Sequence, residues 1–292
     1  MIVNLETHGH LYNDFLMLVE KSYGYVGDFS FAEDFAPMLS RDNFKNCWMI
    51  YENEEVKATI AFKKKVIKLH SEHPIIFIGG IAVKETQRGK GYFNRLFNGT
   101  IAHYENVAWL GLWSEKKELF DKYGFSPAFN QYFIKQAVSS SLSNPFDILS
   151  GELSSFDLDS WKKLYSFSVM RSADDWNEVQ KILKKEIYVL KNANGDWIFY
   201  AIKNKGFDLQ NVFYEWGGIS MEIIRNNLKV CEGLGDIWGD FSLNDIKIFS
   251  EYSQGANLSL KIGNSSIYKK WELEWAEWSK KNCFLISGLD SI

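Results

Sequence analysis

The run IAVKETQRGKGYF, residues 81–93, places an apolar strand directly before a glycine-rich basic turn and a helical segment. A turn of this kind exposes the free N–H groups of the first helical turn, where the helix dipole adds partial positive charge. Because Gly89 and Gly91 have no Cβ, a diphosphate can approach the backbone, and Arg88 and Lys90 add charge. The RGKG turn, residues 88–91, therefore predicts an anion site, with a solvated strand-to-helix turn as the alternative.

Two common nucleotide-binding motifs are absent. The sequence contains no GxxxxGK[ST] phosphate loop, and it contains no GxGxxG dinucleotide fingerprint followed by a strand-helix-strand crossover. The RGKG turn therefore needs another explanation.

Hydrophobic spacing predicts alternating helices and strands along the N-terminal part of the chain. Glycines at 79 and 80 interrupt one of these strands, where we expect a bulge. The predicted helices are 11–24, 31–40, 92–104 and 115–125, and the predicted strands are 48–51, 56–69, 73–83, 107–114 and 129–138.

A polar segment divides the sequence. SSSLSNP, residues 139–145, is the best candidate for a linker, so we predict domains at 1–138 and 146–292. In the second domain we predict helices at 156–169 and 174–185, a hairpin with an Asn-Ala-Asn-Gly turn, and a strand in FDLQNVFYEWGG. The two hairpins resemble each other in outline, which suggests that the second half is a diverged copy of the first.

Composition and charge exclude several classes of protein. The chain of 292 residues is 46% apolar and has a net charge of −4 at pH 7. We therefore expect no nucleic-acid binding, which depends on phosphate neutralisation by Lys and Arg. No apolar run approaches the roughly 20 residues of a membrane span, and the first residues do not resemble a signal peptide. We expect a cytoplasmic protein with no membrane partner.

Cysteine and histidine spacing predicts neither a disulfide framework nor a metal site. Cys47, Cys231 and Cys283 form no CxxC pattern, so buried free thiols are expected. His8 and His10 are close in sequence, but no third ligand can be assigned to them.

Residues 45–137 resemble the GCN5-related N-acetyltransferase (GNAT) superfamily. The hallmark R/Q-x-x-G-x-G/A follows the fourth strand of that family, and here Arg88-Gly89-Lys90-Gly91-Tyr92-Phe93 follows the strand GGIAV. A second segment, LWSEKKELFDKYGF, resembles the fifth strand, short helix and Gly-Phe pair of the acetyl-CoA site. The resemblance implies an α/β (α+β) fold, with a mixed, mostly antiparallel sheet flanked by helices and a second GNAT-like α/β domain.

The resemblance also implies how acetyl-CoA would bind, as cosubstrate and without a metal. In the family the pantetheine arm pairs with backbone at the end of the fourth strand, and the pyrophosphate rests on amides of the turn. Carried over, the pantetheine positions are Ile81, Ala82 and Val83, and the pyrophosphate positions are Arg88, Gly89, Lys90, Gly91, Tyr92 and Phe93.

Two positions depart from the family pattern. The last position of the hallmark is Phe93 rather than Gly or Ala, so its ring must point away from the cofactor or crowd it. The general acid of the family is a Tyr four residues before the Gly-Phe pair, which is Phe120 here, and Phe cannot protonate a leaving thiolate. Tyr123 is a candidate substitute, although three helical residues rotate a side chain by about 300°.

Three carboxylates are candidates for a general base. Glu33 and Asp34 lie in the segment that lines the acceptor groove in the family, with a solvated helix start as the alternative. Glu215 stands between aromatic residues in FYEWGG, and burial there would raise its pKa, with a strand-edge carboxylate as the alternative. An amine acceptor also leaves open a mechanism by positioning alone.

We predict an acyl-CoA-dependent N-acyltransferase that transfers acetyl groups to a small-molecule or peptide amine. The first alternative is a CoA-binding or sensing protein without turnover, which Phe93 and Phe120 favour. The second is a FemABX-like aminoacyltransferase, which the intact RGKG turn argues against. The sequence leaves the oligomeric state open.

Overall fold

The computed structural model describes most of the chain, namely residues 1–68, 72–104, 106–107, 109–114, 116–137, 144–149, 167–170, 177, 185–206, 209–240, 246–262 and 284–285. Its α-helices are α1 (Tyr12–Tyr23), α2 (Phe31–Asp34), α3 (Ala36–Leu39), α4 (Tyr92–Ile101), α5 (Lys117–Asp121) and α6 (Met221–Cys231). Its strands are β1 (Ile2–Asn4), β2 (Cys47–Glu52), β3 (Glu55–Lys68), β4 (Glu72–Val83), β5 (Trp109–Ser114), β6 (Ser126–Ile134), β7 (Asp147–Leu149), β8 (Phe167–Met170), β9 (Glu186–Lys191), β10 (Trp197–Lys205), β11 (Leu209–Gly218), β12 (Asp236–Asp240), β13 (Tyr252–Ile262) and β14 (Phe284–Leu285).

The strands form one mixed sheet, as the expected fold class requires. Its order is β1-β2-β3-β4-β5-β13-β6-β12-β11-β10-β9-β7, and β8 pairs with β3 and β14. The pairs β4/β5, β11/β12 and β8/β14 are parallel, and the remaining pairs are antiparallel. Helices cover both faces around β3: Ala61 packs with α1 to α3, and its neighbours Ile60 and Phe62 pack with α4.

Several local predictions are confirmed. Helix α1 ends at Gly24, which adopts the left-handed conformation with φ of 78° and donates its N–H to the Glu20 carbonyl. The β2–β3 hairpin turns at Asn53 and Glu54, both with positive φ. The second hairpin, β9–β10, turns at Gly195 with φ of 86°.

The single helix predicted over residues 31–40 is two short helices instead. They are separated at Phe35, whose φ of −119° and ψ of 39° are not helical. Pro37 has no N–H to donate to the Glu33 carbonyl, so one continuous helix would lose a hydrogen bond there.

The prediction of a helix over residues 156–169 is wrong at its end. Residues 167–170 are strand β8, which pairs antiparallel with β3 at Val66–Lys68. A strand partner in the sheet outweighs local helix preference in a short segment. The rest of that prediction, and all but residues 177 and 185 of the helix predicted over 174–185, lie outside the described residues.

The two halves of the sheet repeat one pattern and exchange strands. Antiparallel β2–β3–β4 followed by parallel β5 has its counterpart in antiparallel β9–β10–β11 followed by parallel β12. Strand β13, from the C-terminal half, lies between β5 and β6, and β6, from the N-terminal half, pairs with β12. The division at 1–138 and 146–292 stays a prediction, and it would separate strands that the sheet joins.

The two cysteines that the structure describes are the buried free thiols that the sequence predicts. Cys47 and Cys231 are free and buried, and burial raises the pKa of Cys47 to about 12. Cys283 lies outside the described residues. Within the described part of the chain, no helix has the length and apolar character to cross a membrane.

A buried amide ties α3 to the sheet and gives a first prediction. The Asn43 Nδ2 donates to the Met38 carbonyl at 2.6 Å and to the Phe62 carbonyl at 2.9 Å. Asn43→Asp keeps the shape but removes both donors, so we expect the free energy of unfolding to fall by about 2–3 kcal/mol. Urea denaturation followed by circular dichroism measures this loss, and a loss below about 0.5 kcal/mol would contradict the role assigned to the amide.

Candidate functional site

A bulge in β4 shapes the site. Gly80 has φ of 56°, and the β3–β4 register slips there, since Thr59 pairs with Ala82 while Ala61 pairs with Gly79. The Thr59 hydroxyl donates to the Gly80 carbonyl at 2.9 Å and holds the bulged peptide on the β3 side. The predicted bulge at the two glycines is confirmed, and the left-handed φ explains why Gly occupies position 80.

The end of β4 presents backbone at an open edge. Strand β5 pairs with β4 only at Ile75–Phe77, so the described strands diverge beyond that point. Lys84 donates its N–H to the Lys57 carbonyl, which places Ala82 in the ladder with β3. Because alternate residues of a strand bond to opposite sides, the backbone groups of Ile81 and Val83 face away from β3. Two of the three predicted pantetheine positions therefore lie on the open edge.

The RGKG turn has the geometry of an anion cradle. Gly89 and Gly91 have φ of 77° and 80°, and a Cβ built on either glycine meets no heavy atom within 4 Å. Gly91 directly precedes α4, whose first N–H groups, at Tyr92 and Phe93, have no acceptor within the helix. Within the turn, the Lys90 N–H donates a hydrogen bond to the Gln87 carbonyl at 3.3 Å. The predicted helix after the turn is confirmed.

Basic side chains surround this cradle. Arg88 and Lys90 are exposed; the Arg88 Nε donates to the Val83 carbonyl at 3.4 Å, and the Lys90 Nζ donates to Gln87 at 3.2 Å. These weak contacts leave both cations at the mouth of the turn, where solvent and an anion reach them.

Glu52 anchors the first turn of α4 to the β2–β3 hairpin. Its carboxylate accepts from the Arg95 Nη2 at 2.5 Å and from the Tyr92 hydroxyl at 3.1 Å. The hydrogen bond from Arg95 is the largest cause that lowers the pKa of Glu52. The Tyr92 side chain therefore points towards the hairpin, and only the Tyr92 backbone is available to an anion at the RGKG turn.

Phe93 packs into an aromatic cluster between α4 and α5. Its ring centroid lies 5.8 Å from Phe120 and 6.0 Å from Tyr123, both edge-on, and 5.3 Å from Phe97. Phe120 is buried in the same cluster. The sequence leaves open whether the Phe93 ring points away from the cofactor or crowds it. The structure shows the ring packed against α5.

Tyr123, the predicted substitute for the general acid, bonds to α4. Its hydroxyl donates to the Asn94 Oδ1 at 2.7 Å, and the Lys122 Nζ donates to the same oxygen at 3.0 Å. Burial raises the pKa of Tyr123. The hydroxyl thus belongs to the α4–α5 contact, and its catalytic role stays a prediction.

Two of the candidate bases, Glu33 and Asp34, are on α2 over the β4 bulge, and the third, Glu215, is on β11. Glu215 is fully buried on β11, where the Tyr200 hydroxyl donates to it at 3.1 Å, and five strand steps separate β11 from β4. Asp34 is buried against the C-terminal half, because a Cβ at Gly206 would lie 2.2 Å from its Oδ2. Glu33 is half-buried on α2. The structure brings none of the three to the RGKG turn, and a role as base stays a prediction for each.

The corresponding turn in the second half is closed. Strand β11 leads to α6 through Ser220, whose Oγ accepts the N–H of Ile223 at 3.2 Å. A Cβ at Gly217 would lie 2.5 Å from the Tyr200 ring, and one at Gly218 would lie 3.1 Å from a carbonyl oxygen. The backbone at the RGKG turn is therefore more open than the backbone at the β11–α6 turn.

One residue of the site was not predicted from the sequence. Tyr23, at the end of α1, receives a hydrogen bond from the N–H of Ile81 at the β4 bulge. Burial raises the pKa of Tyr23, and this hydrogen bond opposes the rise. The sequence places Tyr23 before the helix stop at Gly24, but helical spacing does not reveal which strand lies beneath it.

Among the described residues, no three His, Cys, Asp or Glu side chains are grouped as a metal site. The bulged β4, its open edge and the glycine turn at α4 are the features that the resemblance to the GNAT superfamily implies. Residues 8–128 match the family model of the acetyltransferase (GNAT) domain, so this segment of the chain is a GNAT-type domain. No curated protein matches the chain in sequence.

Solved structures share the fold over most of the chain. A probable N-acyltransferase from Enterococcus faecalis V583 superimposes with a TM-score of 0.63 at 15% identity, over 92% of this chain and 73% of that chain. A putative acetyltransferase from Pyrococcus horikoshii gives 0.62 at 12% identity, over 98% and 94%. The N-myristoyltransferase of Saccharomyces cerevisiae, solved with bound myristoyl-CoA, gives 0.59 at 11% identity, over 89% and 82%. At these identities the likeness establishes the fold.

Proposed function

We propose that this protein is an acyl-CoA-dependent N-acyltransferase that transfers an acetyl group from acetyl-CoA to a small-molecule or peptide amine. The observation that carries the proposal is the RGKG turn, where Gly89 and Gly91 leave an unobstructed backbone at the start of α4. A diphosphate fits this turn because backbone N–H groups and the helix dipole favour negative charge there.

The open edge of β4 would hold the pantetheine arm. Its amides resemble the backbone of a strand, so they can pair with the outward Ile81 carbonyl and Val83 N–H, while the Ile81 N–H bonds to Tyr23. Ala82, which pairs with Thr59, would contribute through its position in the strand rather than through its backbone groups. The pyrophosphate would then meet Arg88 to Phe93, with Arg88 and Lys90 supplying charge.

Catalysis of this reaction depends more on positioning the amine and the thioester than on activating the amine. An unprotonated amine is already nucleophilic, so fixing the thioester against it lowers the barrier through proximity. The leaving thiolate needs a proton, and Tyr123 is the donor that the sequence proposes. Glu215, five strands from β4, would have to act from the second half as base. The yeast N-myristoyltransferase, with its bound myristoyl-CoA, supports an acyl-CoA donor in this fold.

Turnover with a panel of amines tests the proposal. Purified protein and acetyl-CoA are mixed with primary amines, polyamines and peptides, and released CoA is followed with a thiol-reactive dye. Mass spectrometry of the acceptor must show the acetylated product. CoA release that requires an amine supports the proposal. Tight binding of acetyl-CoA with no release for any amine would overturn it in favour of a CoA-binding protein, which the buried Phe120 at the usual acid position favours.

The two cations at the turn give a prediction about affinity. The double variant Arg88→Ala/Lys90→Ala is expected to bind acetyl-CoA about three- to tenfold more weakly at low salt, because each exposed cation contributes below about 1 kcal/mol. The deficit should shrink at higher salt, because salt screens the attraction that Arg88 and Lys90 exert in the wild-type protein. Lys64→Ala, which removes another exposed cation, is the matched control. Equal affinity of the double variant and this control would contradict the assignment.

We further propose a cytoplasmic protein in which a GNAT-like C-terminal half shapes the acceptor site. The repeated pattern of antiparallel and parallel strands supports the second GNAT-like unit.

A further inference from the structure

The ends of α1 and α2 cover the β4 bulge. A Cβ built at Gly80 would lie 3.8 Å from the Phe31 ring, so α2 sits directly over the bulged residue. The rings of Tyr23 and Phe31 lie 5.7 Å apart between centroids. Both aromatic side chains therefore pack over the β4 bulge, Phe31 inside the core and Tyr23 partly exposed.

The bulge turns the N–H of Ile81 outward, and the Tyr23 hydroxyl accepts a hydrogen bond from it. The Gly80 carbonyl is held on the β3 side by the Thr59 hydroxyl at 2.9 Å, and in a trans peptide the following N–H points the opposite way. That N–H, on Ile81, is the group that bonds to the Tyr23 hydroxyl. The phenol thus lies at the backbone position proposed to receive the acyl end of the pantetheine arm.

Tyr23 is fixed in this position by its neighbours. Gly24 closes α1 in the left-handed conformation, and the Glu20 carbonyl accepts its N–H. The Glu20 carboxylate accepts from the Ser30 hydroxyl at 2.8 Å and from the Phe31 N–H at 2.9 Å, which ties α2 to α1. Tyr23 is 43% exposed, so part of its ring is open to solvent and to a bound molecule.

We propose that Tyr23 is the general acid of this transferase, replacing the hydroxyl that Phe120 lacks; the inference rests on the proposed N-acyltransferase function. The amine nitrogen attacks the thioester carbon, and the C–S bond of the tetrahedral intermediate breaks. Tyr23 gives its proton to the leaving sulfur, so CoA departs as the thiol. The phenolate then takes the proton that the acylated nitrogen loses, which restores Tyr23 and balances the reaction.

Tyr23 has the proton available at neutral pH. Burial raises the pKa of Tyr23 above the ordinary 10.0, and the Ile81 amide, by favouring the phenolate, partly opposes this rise. The other titratable groups on the covering helices are Tyr12 and Asp14 at the start of α1, Glu20 and Lys21 near its end, and Glu33 and Asp34 on α2. None of these side chains contributes to the raised pKa of Tyr23. The same amide would stabilise the transient phenolate after proton transfer.

Removing the Tyr23 hydroxyl tests the role. We expect Tyr23→Phe to lower kcat for amine acetylation by about 100-fold, the lower range for a general acid, while the Kd for acetyl-CoA changes less than about twofold. Tyr12→Phe, which deletes a hydroxyl at the opposite end of α1, should leave kcat near the wild-type value. Tyr123→Phe, measured beside it, decides between the two tyrosines.

A second measurement separates proton transfer from structure. Replacing Tyr23 with 3,5-difluorotyrosine lowers the phenol pKa, so the alkaline fall of kcat should move to lower pH. A Tyr23→Phe enzyme as fast as wild type, or an unmoved alkaline limb, would overturn the Tyr23 role and leave the proposed function standing. A wild-type protein that acetylates no amine would sink the proposed function and this role together.

Discussion

Gly91→Glu is expected to abolish measurable acetyl-CoA binding while the protein still folds. Gly91 has φ of 80° and directly precedes α4, and a Cβ there meets no protein atom within 4 Å. The substitution therefore introduces no clash, but it puts a carboxylate where the pyrophosphate is proposed to lie. Repulsion between the two anions and the filled approach to the backbone both oppose binding. Isothermal titration of acetyl-CoA into the variant should give no heat of binding.

Gly195→Glu is the matched control for this variant. Gly195 also has a left-handed φ, of 86°, and also has no heavy atom within 4 Å of a built Cβ, but it lies in the β9–β10 turn. Both substitutions should cost about 1–2 kcal/mol of stability through backbone strain. Binding of acetyl-CoA by the Gly91 variant at the affinity of the Gly195 variant would contradict the pyrophosphate assignment.

A fragment of residues 1–138 is expected not to fold, although the sequence predicts a domain boundary there. Strand β13 pairs with Trp109–Ser114 of β5 and with β6, so the fragment would lose the strand between them. Both strands would present unpaired edges, and Tyr132 and Ile134 of β6, which are buried against the C-terminal half, would lose cover. Circular dichroism and size-exclusion chromatography should show an aggregated or unfolded fragment.

The full chain cut at the predicted linker is the control for this truncation. A protease site placed within residues 139–143 would separate the halves covalently while leaving β13 and β6 in the sheet. We expect the two pieces to elute together and to unfold in one transition. A soluble 1–138 fragment with cooperative unfolding would contradict the role of β13 and support the predicted boundary.

Sequence patterns predicted the local elements that carry strong signals of their own. Helix α1 has apolar residues at helical spacing and a glycine stop, and the β2–β3 hairpin has a polar turn between two apolar runs. The RGKG turn was predictable because glycines after a strand and before a helix leave few other conformations. These features depend on neighbours within a few residues along the chain.

The features that the sequence did not predict depend on distant partners. Alternation of side chains tells which residues are strands, but not that β13 lies between β5 and β6 more than 100 residues earlier. Local spacing predicts a helix where strand β8 lies, because its partner β3 is equally remote in sequence. Tyr23 was missed for the same reason: its chemistry comes from the Ile81 amide, which only the packing of α1 on β4 brings near.

Backbone amide NMR of the 15N-labelled protein during titration with acetyl-CoA tests the central claim most directly. If acetyl-CoA lies along β4 with its pyrophosphate at the RGKG turn, the largest saturable shifts will occur at Ile81, Val83 and residues 89–93. The start of α6, where Ser220 already caps the helix, should stay unchanged. Shifts confined to α6, or none at millimolar acetyl-CoA, would contradict the account.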